Sequence, residues 1–447
     1  MLGSLVTRRF RPALLLVLVV GFVVALQVTP AFAATITVDS LLDGTLVVLA
    51  GNGTCDLREA VAAANTDAAV DVCAAGTGID VIDFSGAGTI TLTAQLAIED
   101  TDATTIDGGG DITISGNNIF RVLLLGNETI NDTAARQLTL TSIVITSGRG
   151  LGLSGGATTP NGGCILVRPN STLTVNGSSD IRNCRSTAFG GGIYGDESAT
   201  INLNGATEIF NSRGLRGGGV YVITGTLVVN EDSCIRNNSA DETGGGIHVG
   251  DNVTVTLGGG STSNRGYLIA NTSQFGGGGI YIEQNSTFTG NHARIFGNTD
   301  GLSGRGGWYA EGGSFSRSCI NCCIVGNRDT AVGQLINGNV AVWQNNWWGS
   351  DFGPFISTAG TGTASGTSFG DSASDFDPGA LGVTEDAIRF NFSSLPADYG
   401  DDSTGGGTGF WLRSVDNNIP SDCTTDLCGP VSGLPGNRAT RSCVYSK

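Results

Sequence analysis

An aliphatic or aromatic residue follows a glycine cluster at regular intervals from about residue 160 onward. These positions form a first ladder: Ile165, Ile193, Val220, Ile247, Ile280 and Trp308. The steps between successive members are 28, 27, 27, 33 and 28. A period in this range indicates stacked structural repeats.

A second ladder pairs an aliphatic residue with a polar residue three positions later. The aliphatic positions are Ile181, Ile209, Ile235, Leu268, Ile295 and Ile324, and the polar ones are Cys184, Ser212, Asn238, Asn271, Asn298 and Asn327. Both ladders lengthen between residues 247 and 268, so one insertion around 258–264 explains both. We predict that the asparagines form a structural ladder at corners of the repeat, where Asn tolerates a left-handed backbone and bonds to neighbouring main chain.

Short runs rich in β-branched residues lie between the ladders. Examples are Ser171–Val175, Ala199–Leu203, Thr226–Val229 and Asn252–Leu257. Runs of this length and composition are typical of strands. Similar runs fill residues 79–146. We therefore predict an all-β fold, a right-handed parallel β-helix over residues 79–354, with about ten coils at ~27 residues per coil.

The clearest helical segment of the chain runs from Asp56 to Asn65. Asp56 can act as its N-cap, with Glu59 three residues later completing a capping box. One helix face is apolar: Leu57, Ala60, Val61 and Ala64. Because the exposed strand edges of a stack need covering, we predict that residues 34–78 form an N-terminal cap containing this helix.

Residues 1–33 have the pattern of a secretory signal peptide. Arg8, Arg9 and Arg11 precede an apolar run over 13–26, which ends before the small-residue site 31–33. This run is shorter than the roughly 18 residues of a membrane-spanning helix. We predict cleavage between Ala33 and Ala34, and an extracellular or cell-surface mature chain without a membrane span.

Charge limits the partners of the chain, and export decides how its cysteines are interpreted. The net charge is −17, and Lys447 is the only lysine, which argues against nucleic acid as a partner. All 11 cysteines follow position 54, and export favours disulfides. The best local pairs are Cys55 with Cys73 and Cys423 with Cys428. Cys319, Cys322 and Cys323 have no histidine nearby, so disulfides or buried thiols are favoured over a zinc site.

Several segments carry a resemblance to a known family. The segment Thr54–Asn65 resembles the Cys-Ser-Leu-Arg-Glu-Ala motif (CSLREA) at the N-terminus of exported bacterial β-helix proteins, with Asp56 in place of the usual Ser. Residues 105–118 are similar to the segment that commonly follows, and Asn345–Pro354 to a tryptophan motif near the far end. The repeats resemble those of polymorphic outer-membrane proteins. The resemblance implies a secreted or surface β-helix protein, usually with no assigned activity.

Residues 355–447 depart from that family. They are rich in Gly, Ser, Thr and Asp, and we recognise in them none of the anchoring or sorting signals with which family members often end. We predict that they form a C-terminal cap or a loop-rich segment.

The sequence offers no convincing catalytic constellation, and we predict no cofactor. The arginines that could act as a lyase base near one corner are Arg182, Arg213, Arg236 and Arg294. Four aspartates could bind Ca²⁺, although turn residues are the default interpretation: Asp100, Asp102, Asp107 and Asp111.

An aromatic row is the most interesting surface feature that the repeats predict. It comprises Tyr194, Tyr221, His248 and Tyr281, and it either stabilises the stack or forms a ligand face. We favour a non-catalytic, structural or adhesive protein whose partner is an extracellular glycan or a surface protein. The alternatives are a carbohydrate-active enzyme of pectate-lyase-like type, and a carbohydrate-binding protein that uses the aromatic row.

Overall fold

The computed structural model describes residues 33–344, with gaps at 128, 130–131, 151–159, 262–263, 302–305, 311–316, 321, 326, 330–335 and 338–341. The predicted signal peptide up to residue 32 lies outside the described residues. So do the tryptophan motif and residues 355–447, which include the pair Cys423 and Cys428.

Three parallel sheets contain all the described strands. Sheet 1 contains 18 described strands. They are Ala34–Val38, Asp80–Phe84, Gly88–Thr91, Ala103–Ser115, Gln137–Thr146, Thr172–Asn176, Asp180–Arg182, Ala199–Leu203, Glu208–Phe210, Gly225–Val229, Ser233–Arg236, Val253–Leu257, Gly266–Ile269, Thr287–Asn291, Arg294–Phe296, Arg317–Ile320, Cys323–Val325 and Val342–Gln344.

The other two sheets are built from shorter strands. Sheet 2 has seven described strands: Arg149–Gly150, Arg185–Ser186, Arg213–Gly214, Ser239–Ala240, Thr272–Ser273, Thr299–Asp300 and Arg328–Asp329. Sheet 3 has nine described strands: Leu96–Ile98, Leu123–Leu125, Ile165–Val167, Ile193–Gly195, Val220–Val222, Ile247–Val249, Ile280–Ile282, Trp308–Ala310 and Ile336–Asn337.

From residue 172 the chain visits these sheets in a fixed order. Each repeat contributes two strands to sheet 1, one to sheet 2 and one to sheet 3, and each strand pairs in parallel with its equivalent in the next repeat. The first predicted ladder is in register, with Ile193 opposite Val220, followed by Ile247 and Ile280. The second is in register from Ile181 to Ile324. Mostly parallel sheets with this order are compatible with a parallel β-helix.

The two ladders line one continuous hydrophobic core, and the insertion lies where both ladders predict it. Every ladder position from residue 165 to residue 308 is 0–1% exposed. The strands Val253–Leu257 and Gly266–Ile269 are separated by residues 258–265, whereas the equivalent strands one repeat earlier are separated only by 230–232. The extra residues enter between two strands of sheet 1 and leave the register intact.

The asparagine ladder is buried inside the stack. The Nδ2 atom of Asn238 donates to Oδ1 of Asn271 at 3.1 Å, and the Nδ2 atom of Asn298 donates to Oδ1 of Asn327 at 2.8 Å. The left-handed backbone that we expected at these asparagines occurs one residue earlier, for example at Asn237 with φ 52°. The ladder asparagine therefore points its amide inward, while its neighbour makes the turn.

The glycine clusters serve both the turn and this ladder. Gly244 has φ +68°, a conformation that L side chains rarely adopt. A Cβ atom on Gly246 would lie 2.9 Å from the amide group of Asn271. The cluster is therefore needed both for the sharp corner and for close contact with the asparagine.

The predicted capping helix is present as Leu57–Thr66, and a short helix Leu46–Leu49 precedes it. Asp56 is the N-cap, and the capping box with Glu59 is formed. The predicted apolar face is buried and belongs to the same core cluster as the sheets. Its packing against the strands Ala34–Val38 and Leu96–Ile98 ties the helix to the first repeats.

Three disulfides link six of the described cysteines. The bond between Cys55 and Cys73 joins the predicted pair, and Cys319 bonds to Cys322. A third bond, Cys164 to Cys184, was not predicted from the sequence. Within the described chain, no helix is long and apolar enough to cross a membrane.

Candidate ligand-binding faces

The predicted aromatic row lies on sheet 3, on the side opposite the core. Tyr221 stacks on His248, and His248 stacks on Tyr281, with ring centroids 4.8 Å apart in each case. Tyr194 continues the row at 5.6 Å from Tyr221, and Tyr309 extends it beyond Tyr281 at 4.8 Å. Strand pairing in register produces the row, since it places one ring of each repeat at the ~4.8 Å strand spacing.

His248 is the polar centre of this row. Its Nε2–H group donates to the Oε1 atom of Glu283 at 3.0 Å, and its Nδ1 atom lies 2.9 Å from the hydroxyl oxygen of Thr243. The hydrogen bond from His248 lowers the pKa of Glu283, so this carboxylate is ionised at neutral pH and acts as an acceptor. Both ring nitrogens are thus engaged within the protein.

Most of the row is buried. Tyr194, Tyr221 and His248 are 6%, 5% and 1% exposed, and Tyr281 is half-buried. Phe189 lies against Tyr221 at 4.8 Å, and the guanidinium group of Arg216 lies over the Phe189 ring. The burial favours packing over sugar stacking for the first three rings, while Tyr281 and Tyr309 retain accessible surface.

A second row of polar residues lies on the outer side of sheet 1. Asp180, Glu208, Cys234, Tyr267 and Arg294 follow one another in register. All five are buried, with exposed fractions from 0 to 5%. Such a row of ionisable groups has the residue types of an acid–base site. Whether it can act as one depends on how its side chains are paired with one another and on whether a substrate can reach them.

Ion pairs occupy the first part of this row. The Nη2 atom of Arg236 donates to Oε2 of Glu208 at 2.7 Å, and the two side chains are 8% and 6% exposed. The guanidinium group of Arg236 also lies 4.1 Å from the centre of the Phe210 ring. Arg182 lies 3.6 Å from Asp180. In a buried ion pair of this kind the two charges neutralise one another, and little accessible surface is left for a substrate.

Further along, a tyrosine is held between a cation and an anion. The hydroxyl oxygen of Tyr267 accepts a hydrogen bond from Nη1 of Arg265 at 3.3 Å, and lies 3.5 Å from Oδ1 of Asp232. Burial raises the pKa of Tyr267 to about 12. Burial also raises the pKa of Asp232, against the opposing effect of Arg265. At neutral pH this phenol stays protonated and is a poor base.

The structure separates the four arginines that the sequence places near one corner. Arg182 and Arg236 lie on the outer side of sheet 1, and Arg294 is buried in the row beginning at Asp180. Arg213 lies instead on sheet 2, where its Nε and Nη2 atoms both donate to Oδ1 of Asp241 at 2.9 and 2.6 Å.

Around Arg213 the structure forms a groove that sequence reasoning missed. A cavity of about 430 Å³ is lined by Asn118, Gly148, Arg149, Arg185, Ser186, Thr187, Arg213 and Asp241. Arg149, Arg185 and Arg213 occupy the same register position on three successive strands of sheet 2. The sequence signal is an arginine directly after a corner residue: Gly148-Arg149, Cys184-Arg185 and Ser212-Arg213. The unequal steps, 36 and then 28, hide this relationship, because the first step is eight residues longer than the second.

The four aspartates that we considered as Ca²⁺ ligands are Asp100, Asp102, Asp107 and Asp111, with turn residues as the default interpretation. Within the part of the chain that is described, no group of three or more His, Cys, Asp or Glu side chains is arranged to hold a metal ion. Asp100 is largely buried near Asp80, and burial raises the pKa of both carboxyl groups. The Oδ1 atom of Asp100 accepts a hydrogen bond from the backbone of Asp102 at 3.0 Å, as expected of a turn residue.

Comparison with known proteins gave no further guide to these faces. None of the family models, the curated proteins or the solved structures that we compared with the chain gave a match.

Proposed function

We propose that this chain is an exported, non-catalytic β-helix protein with a structural or adhesive role outside the cytoplasm. In this proposal residues 79–354 form a right-handed parallel β-helix of about ten coils at ~27 residues per coil, and residues 1–33 direct export. The mature chain presents its lateral faces to an extracellular glycan or a surface protein.

The non-catalytic part of the proposal rests on how the acid–base groups are bonded within the protein. The described groups best suited to acid–base chemistry are engaged in the ladders that stabilise the stack. His248 is stacked between two rings with both ring nitrogens bonded, and Glu208 is paired with Arg236. A general base must reach the proton that it removes from the substrate. His248 and Glu208 are instead bonded to partners within the protein.

The long parallel sheets support the structural part. Backbone pairing, the aliphatic core and the asparagine ladder repeat with each step along the chain, which gives a rigid surface with regularly spaced side chains. Such a surface suits contact with an extended or repeating partner.

Export is tested by expressing the full chain in a bacterial host and sequencing the N-terminus of the protein from each cell fraction. We expect the mature chain to begin at Ala34 and to occur outside the cytoplasm. A chain that keeps residues 1–33 and remains in the cytoplasm contradicts the proposal.

Catalysis is tested on the purified mature chain with polygalacturonate and Ca²⁺, by following the ultraviolet absorbance of unsaturated uronates. We expect no product above that of a matched R236Q sample. Product formation by the wild-type chain, lost in R236Q with the fold kept, would favour the lyase alternative and place its site at the Glu208–Arg236 pair.

A further inference from the structure

We propose that the groove on sheet 2 binds an acidic polysaccharide, whose carboxylate or sulfate groups contact Arg149, Arg185 and Arg213. This inference rests on the proposed non-catalytic role outside the cytoplasm and names the ligand class for one lateral face. It differs from the aromatic row, which lies on sheet 3.

The arginine row is available for a ligand. Arg149, Arg185 and Arg213 are all exposed. Among the described residues, Arg149 and Arg185 form no ion pair, whereas Arg213 is bound to Asp241. Two cationic side chains that face solvent and have no counter-ion among the described residues, in a protein of net charge −17, mark a local site for an anion.

The geometry of the row fits a repeating anion. Strands of the same sheet are ~4.8 Å apart, so the arginines are presented at that interval along the stack. Each guanidinium group can bind a carboxylate or sulfate through two parallel hydrogen bonds. A polymer lying along the stack would meet one arginine at each strand.

The chemistry around the arginines fits a sugar chain. Asn118, Ser186 and Thr187 line the same groove and provide amide and hydroxyl groups. Beyond Arg213 the same register position is taken by Ser239, then Thr272, then Thr299, which continues the face with hydroxyl groups. Sugar hydroxyls pair readily with such groups.

Charge density argues against nucleic acid in this groove. Duplex DNA carries one negative charge per ~1.7 Å, much denser than one arginine per ~4.8 Å strand. The remaining surface is acidic and would repel so dense a polyanion. A polysaccharide with one anionic group on every sugar, or on every second sugar, has the sparser charge that the row can match.

The test measures binding of the mature chain, residues 34–447, to three polymers by calorimetry. The probes are polygalacturonate for carboxylates, dextran sulfate for sulfates, and dextran as the neutral control. Duplex DNA is measured in the same way as the competing polyanion. We expect binding to at least one anionic polymer, weakened by added salt, and none to dextran. The anionic polymer that binds more tightly identifies which of the two groups the site prefers.

Variants locate the site. R149Q/R185Q should weaken binding by roughly tenfold or more, because charge-assisted hydrogen bonds to the anion are lost. R185Q is compared with R182Q, which makes the same charge change three residues away on sheet 1 and should bind as the wild type.

S239R adds a fourth arginine in register, and D241N removes the competing carboxylate, so both should bind more tightly. Circular dichroism and thermal unfolding confirm that each variant is folded.

Four results would overturn the inference, and the last of them leaves the proposed function intact. The first is equal binding by R149Q/R185Q and the wild type, the second is equal binding of dextran, and the third is Arg185-dependent binding that is tighter to DNA than to either polysaccharide. The fourth is absence of binding to every anionic polymer, by a folded chain that begins at Ala34 and is found outside the cytoplasm.

Discussion

The side-chain nitrogen of Asn271 donates to the Oδ1 atom of Asn298 over 3.0 Å, across the boundary between two repeats. The same nitrogen donates to the carbonyl oxygen of Ile235, and the Oδ1 atom of Asn271 accepts from Asn238. One buried amide therefore joins three successive repeats.

Replacing Asn271 with Ala should destabilise the stack. The change removes the acceptor of the buried backbone N–H of Asn238 and the side-chain donor to Ile235, while Asn298 keeps its bond from the backbone of residue 271. A buried group left unsatisfied costs ~1–3 kcal/mol, so we expect the free energy of unfolding to fall by roughly 3 kcal/mol. Denaturant unfolding measures this. Thr254→Ala, at an exposed outward position of sheet 1, is the control and should change stability by less than about 0.5 kcal/mol. Equal stability of the two variants would contradict a structural role for the ladder.

The sequence predicts this ladder because its signal is periodic. Residues such as Ile235 and Ile247 recur at nearly constant spacing, and parallel stacking converts constant spacing into register. The capping helix is likewise local, since Asp56, Glu59 and the apolar face lie within one short segment, Asp56 to Ala64. Both features could be predicted because neither needs a contact whose sequence separation is unknown.

The features that were missed depend on how one repeat closes in space. Cys164 and Cys184 are 20 residues apart and meet only because the chain turns through most of a repeat between them. The arginine groove brings together Arg149 and Arg185, which are 36 residues apart, whereas Arg185 and Arg213 are 28 residues apart, so no constant period connects the three. Phe189 packs against the cluster of Tyr194 and Tyr221, and it forms a single parallel bridge with Arg216 outside either ladder.

Glu283 should make stability depend on pH. The hydrogen bond from His248 lowers the pKa of this carboxyl group from its ordinary value of 4.5. A carboxyl group with a lowered folded-state pKa stabilises the fold above its unfolded pKa, and this contribution is lost as pH falls through the folded value. The difference in unfolding free energy between the wild type and Glu283→Gln should therefore be largest at about pH 5–7 and shrink below about pH 4.5.

Measuring both proteins across the same pH series isolates this group. Buried carboxyl groups with raised pKa values, such as Asp80 and Asp100, are common to both proteins and cancel in the difference. A difference that stays constant down to about pH 3 would show that the ionised form of Glu283 does not stabilise the fold.

The aromatic row should contribute mainly to stability. Tyr221 is 5% exposed and contacts rings on both sides, so Tyr221→Ala should cost about 3–5 kcal/mol, as for other large buried rings. Tyr281→Ala, at a half-buried position, should cost less than half of that. Thermal unfolding compares the two variants.

Glycan binding by the same variants separates packing from recognition. If the row packs the stack, Tyr281→Ala binds glycans as the wild type does. The alternative of a carbohydrate-binding face predicts that Tyr281→Ala loses binding while the protein stays folded, because this ring has the accessible surface.

The bond between Cys164 and Cys184 should stabilise the mature protein in an oxidising environment. It closes a segment of 20 residues, for which the loss of chain entropy in the unfolded state gives about 3 kcal/mol. The double variant C164S/C184S should unfold at correspondingly lower denaturant concentration than the wild type, and the difference should disappear when both are reduced. Cys234→Ser, which changes a buried thiol outside the three disulfides, keeps the bond and serves as the control. Peptide mapping that recovers Cys164 as a thiol from the oxidised protein, or equal stability of the double variant and the wild type, would show that the bond does not form.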